Sequence, residues 1–197
     1  MLVIGNGESR KFIDLNNILL DKIGCNAIYR DYPSIKHLVC VDKRMVKEVI
    51  DAGYNQTGFI YTREDWFPRF KQYKRVRTVP DLPYAGSERK DEPFHWGSGP
   101  YAVLLGAKKS NVVHMTGFDL YSNDNKVNNI YKDTDNYITS DKRAVNPSYW
   151  IHQIGMVFKH FSNTNFVVYQ EDGWKLPTEW KYSNVTLDNI SNIYYNT

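Results

Sequence analysis

The residues best suited to chemistry here are glycine turns and short polar side chains. Gly5-Asn6-Gly7-Glu8-Ser9 follows an apolar run, and two glycines in such a turn permit close backbone approach and positive φ. Free N–H groups at the start of the next element attract a phosphate or a sugar hydroxyl. A purely structural turn would read the same. Gly97-Ser98-Gly99 repeats the device before a second helical pattern, which brings an anionic ligand level with a plain turn as the reading. Asp119 closes Gly117-Phe118-Asp119, where a carboxylate either caps a turn or acts on a substrate. Tyr121, Tyr131 and Tyr137 lie nearby in a polar stretch and could hold a phosphate through neutral hydrogen bonds.

The five histidines, at 37, 95, 114, 152 and 160, show no metal-binding spacing of the His-Glu-x-x-His kind. His37 and His114 fall at or inside strand-like runs and read as packing residues. His95, beside Trp96 and the Gly97-Ser98-Gly99 turn, is the candidate functional imidazole. Cys25 and Cys40, the only cysteines, sit at or inside apolar stretches and read as buried free thiols. Neither a metal site nor a cofactor is expected.

These groups need a scaffold, and 197 residues suffice for one domain with its own core. The net charge of +3 does not imply nucleic acid as a partner, although Lys71–Arg77 (KQYKRVR) is a local basic run, read as a solvated face. No apolar run approaches 18 residues and the start lacks a basic leader, so the expectation is a cytoplasmic protein without a membrane span.

Residues 2–5 form a continuous apolar run that stops at a turn, as in a buried parallel strand. A helix is predicted from Ser9 or Arg10 to Lys22, with Phe12, Ile13, Leu15, Ile18, Leu19 and Ile23 at helical spacing and Gly24 as C-cap. Strands follow at Cys25–Tyr29 and His37–Val41, then Asp42 as N-cap of a helix over Lys43–Ala52, stopped by Gly53. Gly58–Tyr61 and Val76–Val79 read as strands, and proline-rich Pro80–Trp96 as an irregular, mobile region suited to a lid. A helix over Ser98–Ala107, a strand over Asn111–Met115, a long polar loop over 122–141, a helix over Ala144–Phe161 and a closing strand over Asn165–Tyr169 complete the pattern. Alternating strands and helices imply a Rossmann-like α/β fold, a mostly parallel sheet covered on both faces. The expected division is a nucleotide-sugar-binding domain over 1–172 and a packed tail over 173–197. In such sheets ligands bind beyond the carboxyl ends of the strands, which selects Gly5–Ser9, Asn26, Asp42 and Gly117–Asp119.

Ile4-Gly5-Asn6-Gly7-Glu8-Ser9, Cys25-Asn26, Gly97-Ser98-Gly99 and Thr116-Gly117-Phe118-Asp119-Leu120-Tyr121 together resemble bacterial sialyltransferases of the lipooligosaccharide type, over roughly the first 170 residues. That family carries Gly-Asn-Gly-Pro-Ser, Cys-Asn, Thr-Ser-Gly and Ser-Gly-Ile-Asp-Phe-Tyr at these places. Proteins of a pterin diphosphokinase-like group share the opening and the Gly-x-Asp ending. The resemblance implies that Gly5, Asn6, Gly7, Ser9, Asn26 and Asp42 contact a nucleotide or sugar, with Ser98 and Gly99 near its carboxylate or phosphate. It further implies Tyr121 and Tyr131 as phosphate-binding phenols.

Glu8 replaces the family's Pro, and Asp42 stands where the family has Asn. The family's catalytic histidine aligns near Ser140, where this chain has none, so His95, Asp119 or Asp141 must supply the base that frees an acceptor hydroxyl. The implied activity is transfer of a sugar from a nucleotide sugar, of the cytidine monophosphate kind, to a glycan-type acceptor, with homo-oligomerisation left open. The alternatives are a metal-dependent diphosphokinase-like enzyme using Asp42 and Asp119, and a module that binds nucleotide or sugar without catalysis.

Overall fold

The computed structural model describes residues 1–84, 96–122 and 124–197. Among these residues eight strands form one sheet: β1 (Leu2–Ile4), β2 (Lys22–Cys25), β3 (His37–Val39), β4 (Phe59–Thr62), β5 (Val76–Thr78), β6 (Val112–Thr116), β7 (Asn165–Gln170) and β8 (Val185–Asn189). Their spatial order is β5-β4-β3-β2-β1-β6-β7-β8 and every pairing is parallel. Among the described residues the helices are α1 (Lys43–Asp51), α2 (Phe67–Phe70), α3 (Ser98–Lys109), α4 (Ser148–His160) and α5 (Ile193–Asn196). This is a single α/β domain of Rossmann-like build. The chain winds outward from β1 to β5 and then returns to add β6 on the other side of β1, so the switch of direction lies between β1 and β6.

Side chains alternate across each strand, and both faces are covered. Val3, Ile23, Val113 and Met115 pack with α3, α4 and Trp180. Leu2, Ile4, Leu38 and Ile60 pack on the opposite face with Met45, Val46 and Val49 of α1. α3 is buried from Ser98 through Ala107, apart from Gly99, because it is wedged between the sheet and α4. That packing holds its N-terminus at the carboxyl edge of the sheet.

The expected helix from Ser9 or Arg10 to Lys22 is replaced by two 3₁₀ turns, Glu8–Phe12 and Leu15–Asn17. Asp14 accepts from the Asn16 amide, and such short polar side chains compete with helical hydrogen bonding. Phe12 and Leu19, counted in the apolar stripe, are 87% and 93% exposed. The expected strand over Cys25–Tyr29 lies earlier: β2 ends at Cys25, and Asn26 at φ 51 turns the chain into a 3₁₀ turn. Gly24 is therefore a strand residue, not a C-cap. α4 begins at Ser148 rather than Ala144. β7 does not close the sheet, because β8 pairs beyond it within residues 173–197, with Phe166 opposite Val185. β8 has no buried run to announce it, as befits an edge strand. Asp42 caps α1 as expected, accepting from the Arg44 amide at 2.8 Å. No helix among the described residues is long and apolar enough to cross a membrane.

Candidate functional site

A cleft of about 380 Å³ opens at the carboxyl ends of the strands, over the β1/β6 switch. Gly5, Asn6, Gly7, Asn26, Asp42, Ser98, Gly99, Asp119 and Tyr121 all line it, so the tertiary fold brings together residues separated by more than a hundred positions. The rest of the wall carries apolar and aromatic groups, Leu120, Val127, Ile138, Val145, Trp150 and Ile154, alongside polar Ser122, Asn128 and Asn129. Leu120 at φ 61 and Asn26 at φ 51 are non-glycine residues in the left-handed region, and such backbone strain concentrates where a site needs a particular geometry.

Gly5 and Gly117 form the floor by direct backbone contact. A Cβ at Gly5 would overlap the Gly117 carbonyl, and one at Gly7 would overlap the Asp119 carboxyl group. Four amides of this turn, those of Gly5, Gly7, Glu8 and Ser9, are already committed. Gly5 N–H donates to the Thr116 carbonyl at 2.8 Å, and Gly7 N–H to the Gly117 carbonyl at 2.9 Å. Glu8 N–H donates to Asn128 Oδ1 at 2.8 Å. Ser9 N–H donates to Asp119 Oδ2 at 2.9 Å, and the Ser9 hydroxyl donates to Asp119 Oδ1. Ser9 and the buried Asp119 thus form the brace beneath the turn.

Beneath the floor lies Arg10, 3% exposed. Its Nε donates to the Gly5 carbonyl at 2.7 Å, and Nη2 to Asn6 Oδ1 at 3.3 Å and the Tyr131 hydroxyl at 3.2 Å. Tyr131, 5% exposed, donates in turn to Asp31 Oδ2 at 2.5 Å and does not line the cleft. Both amide hydrogens of Asn6 are used, on the Cys25 carbonyl at 3.0 Å and the Tyr137 hydroxyl at 3.2 Å. The Asn6 side chain therefore ties the end of β1 to the end of β2. Sequence reasoning missed Arg10, because nothing in its local pattern separates a buried polar side chain from a solvated one, and Tyr137, expected as a phosphate-binding phenol, instead accepts from Asn6 and from the Ala27 amide.

Further donors open to a ligand stand on the opposite wall. Ser98 Oγ donates to Asn26 Oδ1 at 2.8 Å and accepts from the Val41 amide at 3.1 Å, linking β2, β3 and α3. Asn26 Nδ2 and the amides of Ser98 and Gly99 have no acceptor among the described residues. The N-terminus of α3, a 12-residue helix with no side-chain cap, adds its positive dipole end. Trp174 Nε1 donates to the Asp119 carbonyl at 2.8 Å and fixes the turn that carries Tyr121.

Burial pushes Asp42 upward, but hydrogen bonds from Arg44 outweigh it and hold the carboxyl below its ordinary value. Burial raises the Tyr121 phenol, reinforced by Glu179, and also raises Tyr131 and Tyr137, so all three stay neutral. The Cys25 thiol is pushed up to about 12 by burial, which leaves it protonated and inert near neutral pH. Asp141 is exposed, accepts from the Thr139 hydroxyl and does not line the cleft. His95 lies outside the described residues, as do residues 85–94 of the expected lid. Among the described residues no group of three or more His, Cys, Asp or Glu is placed to hold a metal ion. Compared with protein-family models, curated proteins and solved structures, the chain finds no match.

Proposed function

We propose that the cleft binds a nucleotide-activated sugar of the cytidine monophosphate kind and that the chain transfers the sugar to the hydroxyl of a glycan-type acceptor. The carrying observation is the convergence of uncommitted donors, Asn26 Nδ2 and the Ser98 and Gly99 amides, at a helix N-terminus beside the β1/β6 switch. A phosphate there gains hydrogen bonds and the helix dipole without displacing any bond of the fold. The apolar wall of Ile138, Val145 and Trp150 offers faces for a base or sugar ring, and the volume is in the range of small-molecule sites. Asn6, Ser9 and Asp119 shape the site rather than contact the ligand through free side-chain donors. Asp42 and Asp119 are the carboxylates available to take the acceptor proton.

A second reading, binding without transfer, is favoured by one observation: both carboxylates are already engaged, Asp42 by Arg44 and Asp119 by Ser9. Thermal-shift titration with cytidine, uridine, guanosine and adenosine monophosphates, with and without magnesium, tests the binding step, since a specific ligand raises the melting point by mass action. Magnesium-independent stabilisation by the cytidine nucleotide is expected, and silence with all four would remove the proposal. Release of free sugar or transfer from a cytidine monophosphate sugar separates the two readings.

A further inference from the structure

At the opposite end of the strands from the main cleft, the β4–β5 edge carries an uneven share of the charge. The twelve residues from Trp66 to Arg77 contain five Lys and Arg and no Asp or Glu, more than the chain's whole net charge of +3, so the rest of the chain is net negative. None of these five cations makes an ion pair among the described residues, although seven ion pairs form elsewhere. The Arg75 guanidinium lies over the Phe59 ring at 5.4 Å and donates to the Thr57 carbonyl at 3.0 Å, which fixes it at the surface without neutralising it.

Lys74 and Arg75 open onto a cleft of about 300 Å³ whose other walls are Asn55, Gln56, Gln72 and Tyr73. Its lining is polar and contains no carboxylate. Asn55 is only 8% exposed, yet its carboxamide makes no hydrogen bond with any described residue. Its carboxamide is not sealed from solvent, and it lines the cleft with its hydrogen-bonding capacity open to a ligand. All six residues precede β4 or β5 in the chain, at the amino ends of these strands, so this cleft lies about 10 Å or more from the carboxyl edge on a four-residue strand.

The geometry points to a second binding site here, for a phosphate ester that also carries hydroxyl groups, the phosphate held by Lys74 and Arg75 and a hydroxyl by Asn55. Arg and Lys both bind phosphate, Arg with directional donors and Lys as a point charge, and three carboxamides can each donate to and accept from a hydroxylated ligand. The site is independent of the proposed transferase reading, sharing no residue with the main cleft. A free sugar phosphate and the phosphate of a lipid headgroup present the same chemistry.

The test uses the full chain, ¹⁵N-labelled, titrated with glucose 6-phosphate, inorganic phosphate and glucose while the side-chain amide signals of Asn55, Gln56 and Gln72 are followed. Saturable shifts with glucose 6-phosphate are expected, weakened at least about ten-fold in Lys74→Gln/Arg75→Gln, with cytidine monophosphate affinity for the main cleft unchanged. Lys74→Gln alone, at an exposed position, serves if the double variant does not fold. A parallel arm uses vesicles of phosphatidylglycerol against phosphatidylcholine. Lysine-dependent binding to the former, displaced by glucose 6-phosphate, assigns the phosphate to a lipid headgroup; binding of the sugar phosphate alone assigns it to a soluble ligand. Equal affinity in the variants, non-saturating shifts spread over all basic residues and abolished by salt, or no binding in either arm overturns the site.

Discussion

Replacing Arg10 by Met removes the guanidinium that supports the floor of the main cleft while keeping a side chain of similar length. Three acceptors lose their donor: the Gly5 carbonyl at 2.7 Å, the Tyr131 hydroxyl at 3.2 Å and Asn6 Oδ1 at 3.3 Å. Hydrogen bonds from a charged donor contribute about 1.5–3 kcal/mol each, and buried acceptors left alone incur a similar cost. Against this, a buried charge no longer has to be desolvated, which offsets part of the loss. The shortest bond dominates, and the net destabilisation works out at about 3 kcal/mol, a large part of the roughly 5–15 kcal/mol that holds a domain folded. For a chain of this size that lowers the melting temperature by roughly 6–12 °C. Urea unfolding followed by the fluorescence of the five tryptophans measures it directly. A cycle with Tyr131→Phe then reads the coupling, expected at about 0.5–3 kcal/mol because the two side chains share a hydrogen bond. A loss in Arg10→Met below about 1 kcal/mol, or strict additivity with Tyr131→Phe, would refute the view that a buried guanidinium organises the floor.

Gly7→Ala should disorganise the turn even though φ at Gly7 is −64°, because the new methyl meets the Asp119 carboxyl group rather than open space. Reduced stability with loss of nucleotide binding is expected by thermal shift, and unchanged binding would show that Asp119 moves aside freely. Stability should also fall as the solution is acidified below pH 6.5. His114 is buried beside the Tyr169 hydroxyl at 3.0 Å, and burial, reinforced by the nearby amino terminus, lowers its pKa from the ordinary 6.5. An imidazole with a depressed folded-state pKa contributes stability that is present above the unfolded value and lost as pH falls through the folded one. Urea midpoints from pH 8 to pH 5 should decline, and the decline should flatten in His114→Gln; an identical profile in that variant would count against the assignment.

Much of the architecture was legible because strands and glycine turns are local signals. The apolar runs around residues 2–5, 37–41 and 111–115, the Asp42 cap and the glycines at 5, 7, 97 and 99 state a parallel sheet and two turns beyond its strands, and the fold turns these toward one another. The helix expected over residues 9–22 failed for an equally physical reason. The apolar spacing is helical, but the Asp14 carboxylate takes the Asn16 amide and the Asn17 carboxamide locally, and no partner surface buries Phe12 or Leu19. β8 went unseen because an edge strand needs no apolar run when its neighbour supplies the ladder.

The sequence by itself determined the parallel α/β class and the residue types at the carboxyl edge, since periodicity and turn chemistry depend on near neighbours. Only the tertiary structure decided which polar atoms are spent and which remain. Asn6 and Ser9 look like ligand contacts along the chain, yet their side-chain donors are consumed by Cys25, Tyr137 and Asp119, while Asn26 Nδ2 and the Ser98 and Gly99 amides stay open. Arg10 reads along the chain only as a possible helix start and is the buried support of the floor. Each side chain has a fixed number of donors and acceptors, and their partners lie up to 131 positions away, so the count closes only when the chain is folded.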